Sequence, residues 1–204
     1  MAEQDSLFVV KRTILDPKAP TGLSFQIALP ATFTDLRAAK EEAKALLSKE
    51  GYDTEFLTPY ETKSDPSAWK HGDGVIVFAQ APSGQEFKVE IDTVANAAGL
   101  QADASGRIQQ PLYHVVQTLI EYDDDRSGSE RRTVVEGTFA DRERARDHAL
   151  RVLLDANLKR EDFVEYDEYT DGTEGPFGPD VIVHAVKEGG ENVLVSVIAD
   201  QQIV

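Results

Sequence analysis

One unit of sequence occurs twice in this chain, and the repetition limits the folds open to it more than any other feature. Residues 7–16 (LFVVKRTILD) align with 112–121 (LYHVVQTLIE) at an offset of 105. Residues 32–39 (TFTDLRAA) align with 138–145 (TFADRERA), and 75–79 (VIVFA) with 181–185 (VIVHA), both at 106. Phe87, Val89 and Ile91 then fall on Val193, Val195 and Val197. A near-constant offset in four ordered segments identifies a repeated structural unit.

Each unit reads as β-β-α-β-β-β. The first strands, 7–15 and 112–121, are rich in β-branched and aromatic residues. Turns follow, at Pro17, Pro20 and Gly22 in one unit and at 123–128 in the other. Second strands are expected at 23–30 and 131–136. Helices are expected at 35–49 and 141–155, with Thr32 and Thr138 as caps and Asp35 and Asp141 three residues on. Leu36, Ala39, Ala43, Leu46 and Leu47 make one apolar stripe, and Ala145, Ala149, Val152 and Leu153 the other. Gly51 and Asn157 stand where helices end. Three further strands close each unit, near 54–60, 74–80 and 86–94, then 162–168, 180–186 and 192–199.

The expected fold class is therefore α+β: a tandem duplication with mostly antiparallel sheets. The domains are 1–94 and 112–204, joined by a polar linker at 95–111. The first strand of unit one is apolar on both faces, with Phe8, Val10 and Ile14 on one and Leu7, Val9 and Leu15 on the other. Such a strand requires two covers. Its own helix supplies one, and the other unit's sheet is the expected second. This implies a pseudo-twofold arrangement with the helices outside.

Composition removes several functional classes. There is no cysteine, which excludes disulfides, a thiolate nucleophile and cysteine-ligated zinc. No run of 18 apolar residues predicts a membrane-spanning helix. The opening residues Met-Ala-Glu-Gln-Asp-Ser are acidic and polar, unlike a secretory signal, so a cytoplasmic location is expected. The formal net charge of −16 opposes binding to nucleic acid or anionic lipid and favours a basic protein as partner. A homodimer is compatible with the apolar second-unit positions Leu194 and Ile198, which replace Lys88 and Asp92.

Phosphate loops, dinucleotide fingerprints, nucleophile elbows and HExxH are missing. The stretch from Asp167 to Gly172 resembles the start of a calcium loop. Tyr169 and Gly178 occupy positions where oxygen ligands belong, so no metal and no cofactor are expected. Four histidines remain. His148 is assigned to a helix surface and His71 to the loop 61–73. His114 and His184 stand on strands where unit one has Val9 and Phe78, and Arg131 stands where it has Phe25. Polar groups placed there need hydrogen bonds or water. The long loops 61–73 and 169–180 carry Trp69 and Phe177, which either anchor a binding loop or plug the core edge.

Two functions fit. The first is a non-catalytic binding or interaction protein using His114, Arg131, His184, Trp69, His71 and Phe177, with no catalytic residue. The alternative is a small enzyme or ligand carrier with a polar cleft in the second unit, where His114 and His184 handle protons and Arg131 holds an anion.

Overall fold

The structure is a computed structural model describing residues 6–19, 24–65, 67–121, 130–169 and 175–200. The turn positions Pro20, Gly22 and 123–128, together with Asp171 and Gly172, lie outside the described residues. The chain divides into a first compact unit reaching Gln109 and a second, Gln110–Ala199.

In the first unit the strands are β1 (Ser6–Asp16), β2 (Ser24–Phe33), β3 (Tyr60–Thr62), β4 (Val75–Gln80) and β5 (Glu86–Ala95), with helix α1 (Leu36–Lys49) after β2. In the second they are β6 (Tyr113–Glu121), β7 (Glu130–Phe139), β8 (Glu165–Glu168), β9 (Val181–Val186) and β10 (Asn192–Ala199), with α2 (Arg142–Ala149) after β7. The fold is α+β with two five-stranded antiparallel sheets, ordered β2-β1-β5-β4-β3 and β7-β6-β10-β9-β8.

The two sheets agree in finer detail. The β1–β2 ladder shifts between Val10 and Arg12, where β2 carries Leu29 and Pro30. The β6–β7 ladder shifts between Val115 and Val116, where β7 carries Glu136. Pro30 has no N–H to give a ladder, so an irregularity suits it. The β4–β5 ladder slips at Ile76 and the β9–β10 ladder at Ile182, again 106 residues apart.

Each helix covers one face of its sheet. Alternation places Val10, Ile14, Val77, Phe87 and Val89 in one layer, and α1 lays Ala39, Ala43, Leu46 and Leu47 over it. Ala145 and Ala149 of α2 cover Val115, Val183, Val195 and Val197. Small residues on the helix let its backbone approach the sheet closely. On the opposite faces Leu7, Val9, Leu112 and Val116 are buried as well. No helix among the described residues is long and apolar enough to cross a membrane.

Several boundaries differ from expectation. The helix caps are Asp35 and Asp141, whose side chains accept from the backbone N–H of Ala38 and Arg144. Thr32 and Thr138 stay in strands because pairing continues to Phe33 and Phe139. Leu36, read into the apolar stripe, is 39% exposed. Gly51 adopts positive φ after α1. Helix α2 stops at Ala149 rather than near Asn157, because beyond it the four-back pattern gives way: Arg151 and Val152 N–H both turn to His148 O, and Leu154 N–H bonds three residues back to Arg151 O. Strand β3 is displaced from the expected 54–60 to Tyr60–Thr62, into the start of the expected loop 61–73, since residues 53–56 form a turn closed from Phe56 N to Asp53 O; β8 is shorter than read, since Arg160–Asp162 form a 3₁₀ turn.

Residues 96–109, polar in composition, are anchored along the β2 end. Thr34 N–H donates to Gly106 O, and Ile108 N–H to Thr32 O. Leu100 and Ile108 are buried. Asp103 accepts from Ser105, Arg107 and Gln109, bonds that hold its carboxyl down near a pKa of about 2.

The caps provide a measurable check. Asp35→Ala is expected to lower unfolding stability by about 1 kcal/mol, the usual worth of an N-cap bond, seen as a lower urea midpoint at unchanged slope. A variant as stable as the parent would mean that the 2.7 Å Asp35–Ala38 bond is idle in solution.

Candidate functional site

The β3–β4 and β8–β9 pairs, with the loops that join their strands, carry Trp69, His71, Phe177 and His184. Glu61 lies opposite Phe78, and Asp167 lies opposite His184. Both members of the second pair are 106 residues on from the first. In the first unit His71 stacks on Phe78 with ring centroids 4.0 Å apart and planes within 10°. In the second, Phe177 lies 4.4 Å from His184. His71 and Phe177 are also 106 residues apart. The same ring pair therefore occurs twice with its members exchanged: histidine on the loop and phenylalanine on the strand, then the reverse.

A carboxylate attends the histidine each time. His71 Nε2 bonds Glu61, and this bond holds the Glu61 carboxyl below its ordinary range. Lys70 Nζ stands 3.5 Å away. Trp69 meets His71 edge-on at 4.8 Å, and its Nε1 donates to Gly72 O. The aromatic anchor and the histidine thus share one cluster, whose histidine is tied to Glu61 through Nε2.

The second cluster joins a more deeply buried histidine to a more exposed carboxylate. His184 is 5% exposed, and its Nε2 sits 2.9 Å from Asn192 Oδ1. Its Nδ1 is 3.9 Å from Asp167 Oδ2 and has no hydrogen-bond partner among the described residues. Asp167 is half exposed. Glu165, two residues away on the same face of β8, completes a group whose donor atoms lie within 4.8 Å of one another.

His114 lies elsewhere. It is fully buried on the β6 face away from α2, with Nδ1 3.0 Å from Thr138 Oγ1 and Nε2 without a hydrogen-bond partner among the described residues. Burial lowers its pKa to about 4, so the ring is neutral. Arg131, on β7, pairs with Ile120. The strand registers separate His114 from His184 by four residues and two strands, and Arg131 from His184 by two residues and three strands. Both separations are about 16 Å at sheet spacings. The three do not meet. His148, read as a surface residue, is half-buried with its ring 5.3 Å from that of Phe139.

Of the residues singled out in the sequence, His71, Trp69, Phe177 and His184 fall in these two clusters; Asp167 was met only as the start of a calcium-loop resemblance, and Glu61, Glu165 and Asn192 were not singled out. Extending the 106-residue comparison to positions 61 and 71 would have exposed the carboxylate and the exchange. Sequence reasoning also missed Lys11, which is 1% exposed with Nζ 2.9 Å from Asp92 Oδ2 and 3.6 Å from Glu90 Oε2. The aligned positions are Val116, Ile198 and Ser196. Comparison with protein-family models, with curated proteins and with solved structures yields no match.

Proposed function

We propose that this chain is a non-catalytic binding protein, built from two copies of one unit, that engages a basic protein partner. The observation carrying this reading is the recurrence of one aromatic–histidine–carboxylate cluster at the same strand pair of each unit. Shared strand order and matching ladder shifts support descent of the units from a single copy. The clusters carry Glu61, Asp167 and Glu165 on a chain of formal charge −16, and this charge favours a cationic partner. The alternative of an acid–base cleft needs His114, Arg131 and His184 together, and the strand registers separate them.

The test uses a ten-residue lysine peptide in the presence of a chelator. Trp69, the only tryptophan, touches His71 and serves as the optical reporter. Binding is expected to weaken roughly tenfold or more between 50 and 300 mM salt, as exposed charges are screened. Glu61→Gln is expected to weaken it at low salt. Absence of binding, or binding indifferent to both salt and Glu61, refutes the reading.

A further inference from the structure

We infer that Glu165, Asp167 and His184 form a site for one divalent transition-metal cation. This rests on local geometry alone and stands even if the basic-partner reading fails. An amide oxygen only accepts, so the 2.9 Å contact with Asn192 Oδ1 places the proton of the neutral ring on His184 Nε2. The lone pair then belongs to Nδ1. That atom lies within a ring 5% exposed, lacks a hydrogen-bond partner among the described residues, and faces Asp167 Oδ2 at 3.9 Å. Two electron-rich atoms turned toward each other repel unless a cation lies between them.

The cluster has the donors to hold one. Its three ligand atoms already lie within 4.8 Å of one another. Metal–ligand bonds of about 2.0–2.2 Å place tetrahedral donors roughly 3.4 Å apart. Asp167 and Glu165 are exposed side chains on a four-residue strand and can make that small approach. One imidazole with two carboxylates suits zinc, manganese, cobalt or nickel better than magnesium or calcium, which prefer all-oxygen sites. The hydrogen bond to Asn192 fixes the imidazole's orientation, as supporting carbonyls do for metal-bound histidines. Three protein ligands leave a coordination position for a ligand of the metal.

The site is confined to the second unit. The positions 106 residues before Glu165, Asp167 and His184 are Pro59, Glu61 and Phe78. Glu61 is already bonded to His71. A repeated fold with one metal site therefore predicts one equivalent of metal per chain. Spacing along the chain hides the site, because its ligands come from two strands brought together by pairing.

The experiment is calorimetric titration of the chelator-stripped full chain with zinc at pH 7.5, with magnesium as comparison and no peptide present. The expected result is one zinc bound, with little response to magnesium. Asp167→Asn changes a surface side chain, leaves the core untouched, and should weaken zinc at least tenfold. His184→Phe installs the residue that unit one carries at this position and should abolish binding. Asn192→Ala should weaken binding about tenfold, acting through ring orientation. Ring nitrogen NMR gives a direct readout: the Nδ1 resonance of His184 should move on zinc addition while Nε2 keeps its proton. Absence of zinc uptake overturns the inference. So does equal uptake by parent and Asp167→Asn, which would mark adventitious surface binding. An Nδ1 that carries a proton in the metal-free chain and does not respond to zinc also overturns it, leaving a His184–Asp167 ion pair.

Discussion

Lys11→Val is expected to lower unfolding stability by about 2–4 kcal/mol. Its side chain is 1% exposed, and Nζ lies 2.9 Å from Asp92 Oδ2 and 3.6 Å from Glu90 Oε2. Removing one partner of a buried ion pair strands the other, which costs about 3–5 kcal/mol when burial is complete. Asp92 and Glu90 keep 17% and 22% exposure, so water moderates the penalty. The second unit offers the compensating change. Val116, Ser196 and Ile198 occupy the aligned positions on the same strands. The triple variant Lys11→Val, Glu90→Ser, Asp92→Ile should therefore recover most of the loss, since apolar replacement of a whole buried pair is often neutral or stabilising. Urea unfolding of parent, single and triple variants reads the coupling directly. A single variant within 0.5 kcal/mol of the parent, on the scale of ordinary surface changes, would mean that the pair contributes nothing measurable.

His114→Val is expected to make the protein more resistant to acid. The folded state holds this ring neutral, with a pKa of about 4 against an ordinary 6.5. Below pH 6.5 the unfolded chain takes up a proton that the folded chain refuses until about pH 4. Stability therefore falls as pH drops through this window, by up to about 3 kcal/mol, and the group contributes nothing above it. Valine carries no such proton. The variant's advantage over the parent should grow steadily from pH 6.5 to 4, while other titrating groups affect both proteins alike. At pH 7.5 the two should agree within about 1 kcal/mol, the net worth of one hydrogen bond. The variant recreates Val9 opposite Thr32, where the Thr32 hydroxyl is buried without a hydrogen-bond partner among the described residues. Parallel thermal melts that keep a constant gap over this pH range would show that His114 is protonated in the fold or reached by water.

Most strands were legible because alternation acts locally and the repeat confirms it: 75–79 and 181–185 announce themselves by their own residues, whereas β3, only three residues long, was read too early in the chain. The end of α2 was not, because Val152 and Leu153 continue the apolar pattern while the backbone has already left the helix. Lys11 was invisible for another reason. Its acid partner Asp92 lies 81 residues away, and nothing in a run of valines tells a buried lysine from an exposed one. The second cluster hid in the same way: Asp167, His184 and Asn192 belong to three strands and meet only through register. His114 and His184 looked alike as isolated strand histidines, yet one is sealed against Thr138 and the other turns a free nitrogen toward a carboxylate.

The exchanged ring pair bears on the history of the chain. For two descendants of one ancestral unit, no single codon change converts histidine-on-loop with phenylalanine-on-strand into its mirror. Phenylalanine and histidine codons differ at two bases, so neither position reached its present residue from the other in one step. Units with two phenylalanines or with two histidines beside the acid are two of the combinations that lie between the modern clusters. Constructing both, as His71→Phe in the first unit and Phe177→His in the second, would show which of them leaves the fold intact.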